Sequence, residues 1–251
     1  DNYRKIIFNQ KDGIARLCLN NPEKHNALGL AELDLIEIAL NNVSNETRVL
    51  IIESFDDRTF CSGANLSQIL EGSLNGERFQ SVTNKIANLR IPTVAALSGN
   101  IFGGGVELAL SCDFRIGRQG IIMRIPAAAL GLCYPVEGIK RLTERFGVSL
   151  VKRVLVGAET FNADQMLSLR LIDSLHPNEI LNHVVEDYAQ ALLALAPMAV
   201  RAMLAIIRQL EMGALEQEQA KMLAEACAGS EDLKEGIIAL REKRAPIFKD
   251  R

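Results

Sequence analysis

The segment SGNIFGGGVELALSCDFRI, Ser98 to Ile116, constrains this chain more than any other. Gly103, Gly104 and Gly105 are consecutive and run into an apolar stretch of helical character. Glycine inside a helix costs about 1 kcal/mol relative to alanine, so three in a row point to a backbone that must come close to something. A glycine turn at a helix N-terminus presents bare N–H groups and the positive end of the helix dipole. That geometry suits a developing oxyanion. Neither GxGxxG nor GxxxxGK[ST] is present, so a dinucleotide or NTP phosphate loop is not indicated.

Glu107 falls in the first turn of that helix, among Val106, Leu108, Ala109 and Leu110. On a solvent-facing helix the dipole alone would explain a carboxylate there, at about 0.3–1 kcal/mol. The apolar neighbours instead predict a helix buried nearly all round, with Glu107 unpaired inside it. A buried carboxylate without partners is costly and is held nearer its neutral form, as a general acid or base requires. A second glycine loop, FCSGANL at 60–66, also follows a strand region and leads into an apolar helix. Two loops donating backbone N–H groups beside one carboxylate would make an oxyanion hole with a base.

Bulk properties narrow the class. With 251 residues, 48% of them hydrophobic, the chain can bury a sizeable core. A net charge of −3 and the lack of aromatic–basic interleaving argue against nucleic acid. Cys18, Cys61, Cys112, Cys133 and Cys227 are odd in number and form no CxxC pair, which reads as a reducing compartment without a metal site. No apolar run reaches the roughly 18 residues of a membrane span. The expectation is a soluble cytoplasmic protein without a membrane partner.

Strand patterns cover Tyr3–Asn9 and Ile14–Leu19, joined by QKDG, then Arg48–Glu53, Pro92–Leu97, Cys112–Ile116 and Ile121–Ile125. Leu33, Ile36 and Leu40 keep helical spacing, predicting a helix over Leu30–Asn42. After about Leu130 the pattern is helix upon helix: 178–195, 197–210, 214–226 and 230–241, the last with Ser230 as N-cap. The apolar faces after residue 197 need a partner, either the core or another subunit.

Taken together, these pieces resemble the crotonase family, the enoyl-CoA hydratase/isomerase superfamily. The matching stretches are NPEKHNAL at 21–28, FCSGANL at 60–66, GNIFGGGVELALSCDFRI at 99–116, IPAAALGL at 125–132 and EKRAPIF at 242–248. They cover essentially the whole chain. The resemblance implies an α/β fold: a repeated ββα spiral of two roughly perpendicular sheets flanked by helices over residues 1–195. It also implies a helical oligomerisation region, 196–251, that drives homo-trimers or hexamers.

The same resemblance implies an acyl-CoA thioester substrate and no separate cofactor or metal, coenzyme A being part of the substrate. Ser62 and Gly104 would supply the oxyanion amides, and Glu107 the acid/base. Lys24, His25, Asn26 and Ala27 would contact coenzyme A, mostly through backbone, with Gly63, Ala64 and Asn65 at the same site. Hydratases of the family carry a second glutamate directly after the proline of the IP motif, and here that position is Ala127. Glu137 in YPVEG is the substitute acid the sequence offers, or else a solvated loop residue. Tyr134 would place a hydroxyl near the acyl group, in an LGxxY stretch like that of family decarboxylases, or would simply pack. The expected activity is hydration of a 2-enoyl-CoA. The alternatives are a single-acid enoyl-CoA isomerase, a malonyl-type decarboxylase, or an acyl-CoA binder without catalysis.

Overall fold

A computed structural model of the protein describes residues 5–251. The chain opens with β1 (Ile6–Lys11) and β2 (Ile14–Leu19), an antiparallel hairpin. Its turn is Asp12–Gly13, both at positive φ, the geometry that suits the strand twist. Tyr3 and Arg4 of the expected first strand lie outside the described residues. Next come α1 (Leu30–Asn41), β3 (Val49–Ser54), β4 (Thr59–Cys61), α2 (Leu66–Leu70), α3 (Gly76–Ala87), β5 (Thr93–Leu97) and β6 (Asn100–Phe102). Then follow α4 (Gly104–Leu110), β7 (Phe114–Arg118), β8 (Ile122–Arg124), α5 (Val136–Phe146), α6 (Val148–Val151), β9 (Phe161–Asn162), α7 (Ala163–Ser168) and β10 (Ser174–His176). The remainder is helical: α8 (Asn178–Leu193), α9 (Pro197–Glu211), α10 (Gln217–Ala228) and α11 (Glu231–Glu242).

Two mixed sheets result. The larger runs β1-β2-β3-β5-β7-β10, parallel after the opening hairpin; the smaller runs β4-β6-β8-β9. β3 shows why its sequence, VLIIES, reads as an unbroken apolar run: both of its faces are covered. Leu50 and Ile52 join the main core with Leu17, Leu33 and Ile86. Val49 and Ile51, one residue out of phase, meet Leu181, Val185 and Ala189 of α8 on the other face. Two neighbouring parallel strands of the smaller sheet feed the loops that carry the site: β4 leads to residues 62–65, and β6 leads to the glycines.

α11 begins as its sequence predicts, with Ser230 Oγ accepting from Leu233 N at 3.0 Å. α9 to α11 expose Met203, Ile207, Leu210, Leu233, Ile237 and Leu240. No single helix among the described residues is long and apolar enough to cross a membrane.

Candidate active site

Four glycines meet at one point. Gly103 has φ 52 and ψ −127, a conformation open to glycine, and turns the chain from β6 into α4. A Cβ on Gly104 would lie 2.4 Å from Phe79 Cζ, and one on Gly105 would lie 2.3 Å from the Cys61 carbonyl oxygen. From the other loop, Gly63 has φ +94, and a Cβ there would lie 2.6 Å from the Gly104 nitrogen. The triple glycine is therefore a close approach of two backbones, β4's exit loop against the start of α4.

That approach leaves two amides without partners. Ser62 N donates to the His25 carbonyl at 3.0 Å, so its amide is taken. Leu28 N donates to Gly63 O, and Asn65 N to Leu28 O, tying the same loop to residues 21–28. The positive φ at Gly63 breaks the alternation between these bonds. Ala64 N and Gly104 N have no acceptor among the described residues, and both residues line one large cavity. The Ser62 amide expected to face the substrate oxygen is thus engaged, and the amides left free at the cavity are those of Ala64 and Gly104. Cys61, beside this loop, is inert: burial pushes its thiol up to about 12, and it donates to the Asn26 carbonyl.

Glu107 is 1% exposed, in a helix buried on every side as its sequence predicts. The expectation that it is unpaired fails. Oε1 accepts from Arg141 Nη1 at 2.9 Å and from Thr83 Oγ1 at 3.1 Å. Oε2 accepts from Tyr134 Oη at 2.6 Å and Gln80 Nε2 at 2.7 Å. Four donors meet the roughly four lone-pair directions of a carboxylate. Arg141 is itself held by Ser111 Oγ and the Asn84 side-chain oxygen. Burial, and then the Glu107 charge, keep the Tyr134 phenol well above its ordinary pKa, so it stays a neutral donor.

The cavity beside Glu107 measures about 830 Å³. Its walls include Leu74, Phe79, Ile125, Leu130 and Leu132, together with Ala64, Gly104, Glu107 and Tyr134. Ala127 is buried in the same wall. Glu137 lines the cavity too, but is exposed in the first turn of α5, and its side chain makes no hydrogen bond among the described residues.

Lys24 and His25 are exposed and, like Asn26 and Ala27, do not line this cavity. Asn26 is a structural tie rather than an accessible contact: it is 1% exposed, and its side chain bonds Ser54 Oγ, the Thr59 and Phe60 carbonyls and the Asn21 amide. Asn65 caps α2, accepting from Gln68 N at 3.2 Å. Gly63 serves through its backbone angle. Sequence reasoning did not single out Gln80, Thr83 and Arg141. The available signal was polar side chains at i and i+3, Gln80 and Thr83, on the apolar stripe Phe79, Val82, Ile86 of α3.

The Enoyl-CoA hydratase/isomerase family model matches residues 9–251. The chain belongs to that family, the crotonase superfamily. Mouse enoyl-CoA hydratase domain-containing protein 2, mitochondrial, is 33% identical over 97% of this chain and 87% of that protein. Crotonyl-CoA hydratase of Syntrophomonas wolfei subsp. wolfei is 31% identical over 98% of each. Among solved structures, an enoyl-CoA hydratase from Bacillus anthracis superposes with a TM-score of 0.89 at 25% identity, over 99% of this chain and 100% of that one. This crotonase is accordingly an acyl-CoA enzyme of the hydratase/isomerase type, and the cavity, the free amides and Glu107 are its candidate site.

Proposed function

We propose that this crotonase hydrates a 2-enoyl-CoA through a thioester enolate, with Glu107 as the single carboxylate at the reacting carbons. One observation carries the reading: Glu107 is buried on the wall of the same cavity as the two unpaired amides of Ala64 and Gly104. The thioester oxygen accepts from both amides. As water adds to Cβ, the C=C electron pair moves toward that oxygen, and the amides stabilise the charge; loss of one such donor typically costs about 10²–10³-fold in rate.

Glu107 takes the proton from water and returns it to Cα, so one water is consumed and nothing else is required. Thr83 makes room for this. Its single hydroxyl proton has two acceptors, Glu107 Oε1 and the Gln80 carbonyl, and can pass wholly to the latter. Arg141 pairs with the carboxylate at 2.9 Å, so the enolate forms beside an ion pair instead of a bare anion. Lys24, His25 and Ala27 remain the proposed edge for coenzyme A, linked to the site through the Ser62–His25 bond.

A second reading, isomerisation of a 3-enoyl-CoA to its 2-enoyl form, is favoured by Ala127, which leaves one carboxylate to move a proton between carbons. Decarboxylation would bring a second anion against Glu107 and is disfavoured. The exposed apolar faces of α9 and α11 support a homo-trimer or hexamer, checked by sedimentation. The assay separates the chemistries. Hydration removes the conjugated absorbance of crotonyl-CoA, whereas isomerisation creates that absorbance from a 3-enoyl-CoA. Protein that does neither contradicts both readings.

A further inference from the structure

Gly138 is the third residue of α5 and is buried. Its φ lies outside the positive range that calls for glycine, and glycine weakens a helix relative to alanine, so the backbone does not account for it. Its surroundings do. A Cβ at this position would lie 2.6 Å from Tyr134 Cε1, 2.9 Å from Gln80 Nε2 and 3.0 Å from Glu107 Oε2. Packed carbons keep roughly 3.5–4.0 Å, so there is no room for a methyl group. The atoms in its way belong to the two side chains that donate to Glu107 Oε2 and to that oxygen itself. Arg141 stands one turn further along the same helix face and donates to Glu107 Oε1 at 2.9 Å. The same segment meets α3 through a glycine a second time, where a Cβ on Gly76 would lie 2.7 Å from Pro135 Cγ.

We propose that Gly138 is a positioning residue for Glu107: its missing side chain lets α5 and Tyr134 close on the carboxylate and fix it in place. This rests on the reading of Glu107 as the acid/base. With a methyl group in that space the Tyr134 ring must turn away, because Cε1 is part of a rigid ring and cannot bend aside. The Gln80 amide shifts as well, and Oε2 loses its donors. If α5 retreats instead, Arg141 is drawn off Oε1. In both cases Glu107 stays in the cavity wall but loses the bonds that set the plane of its carboxylate. Gly138 itself does not line the cavity, so a substituent there reaches the reaction only through Glu107 and its partners. The free amides of Ala64 and Gly104 sit on other loops and keep their place.

The test places Gly138→Ala in two backgrounds: the wild type, and Tyr134→Ala, which removes the ring in its way. Crotonyl-CoA turnover, the Kd of butyryl-CoA and Tm are measured for all four proteins. In the wild-type background Gly138→Ala is expected to lower kcat by about tenfold to a hundredfold, the effect of a small misplacement of a reacting group, with the Kd changed by less than about threefold. With Tyr134→Ala present, the same substitution is expected to change kcat by less than about twofold, because the two positions act as one. Its effect on Tm reverses: alanine lowers Tm where the ring stands, and raises it where the ring is gone, as alanine in place of a helix glycine does. In protein labelled with carbon-13 tyrosine, the Tyr134 Cζ resonance moves in Gly138→Ala as its bond to Glu107 breaks. Equal kcat losses in the two backgrounds, or a Gly138→Ala enzyme with the wild-type kcat, overturn the proposal. Where Gly138→Ala alone does not fold, a folded double variant supports the proposal, and an unfolded one beside a folded Tyr134→Ala overturns it. Wild type that leaves crotonyl-CoA unchanged refutes the hydration reading. The moved resonance and the Tm reversal then keep the role of Gly138, and their absence overturns it.

Discussion

Tyr134 Oη donates to Glu107 Oε2 at 2.6 Å, joining the loop before α5 to the helix that starts at the three glycines. The phenol is held neutral by burial first and by the carboxylate second. Its folded pKa lies above the ordinary value of 10.0, so its contribution to stability is fully present below pH 10. Above that, the unfolded chain releases the proton while the folded chain keeps it, and rising pH favours unfolding. Urea denaturation at pH 8 and at pH values above 10 is expected to show this loss, and Tyr134→Phe to show a smaller one. An equal loss in both proteins contradicts the assignment.

Arg141 and Glu107 form a pair with side-chain exposures of 12% and 1%. Replacing Arg141 with Met leaves Glu107 buried without its cation. The expected destabilisation is about 3–5 kcal/mol, the cost of breaking a buried pair from one side. Chemical denaturation checks it. A loss below about 1 kcal/mol, the scale of an exposed pair, contradicts the geometry.

Gly63 and Gly120 provide a matched comparison. Both have positive φ, +94 and +80, but a Cβ at Gly63 would lie 2.6 Å from Gly104 N, while nothing lies within 4 Å at Gly120. Alanine at either site carries backbone strain of about 1–3 kcal/mol. Only Gly63→Ala should also disturb the Gly104 amide, lowering turnover by about 10²-fold. Equal turnover in the two folded variants removes the amide pair from the mechanism.

Glu137 is exposed, and its side chain is unbonded among the described residues. Glu137→Gln is therefore expected to keep turnover within about threefold. A fall of about 10²-fold or more, the scale of a lost general acid, makes Glu137 the second acid after all.

The apolar runs that become β2, β3 and β5, the Leu30 helix and the Ser230 cap were legible in the sequence because each rests on local periodicity or capping chemistry. The burial of Glu107 was legible from Val106 and Leu108 beside it. Its partners were not: Gln80, Thr83, Tyr134 and Arg141 come from positions 24 to 34 residues away, brought together only by the packing of α3 and α5 on α4. The choice between Ser62 and Ala64 was also hidden. It depends on the sign of φ at Gly63 and on the His25 carbonyl that captures the Ser62 amide.

The most direct measurement is the rate at which crotonyl-CoA loses its conjugated absorbance with wild type and with Glu107→Gln, alongside butyryl-CoA binding to each. Wild type is expected to hydrate the ester. Glu107→Gln is expected to be slower by about 10²–10⁴-fold with binding changed only a few-fold. Glu107→Gln retaining the wild-type rate would contradict the account.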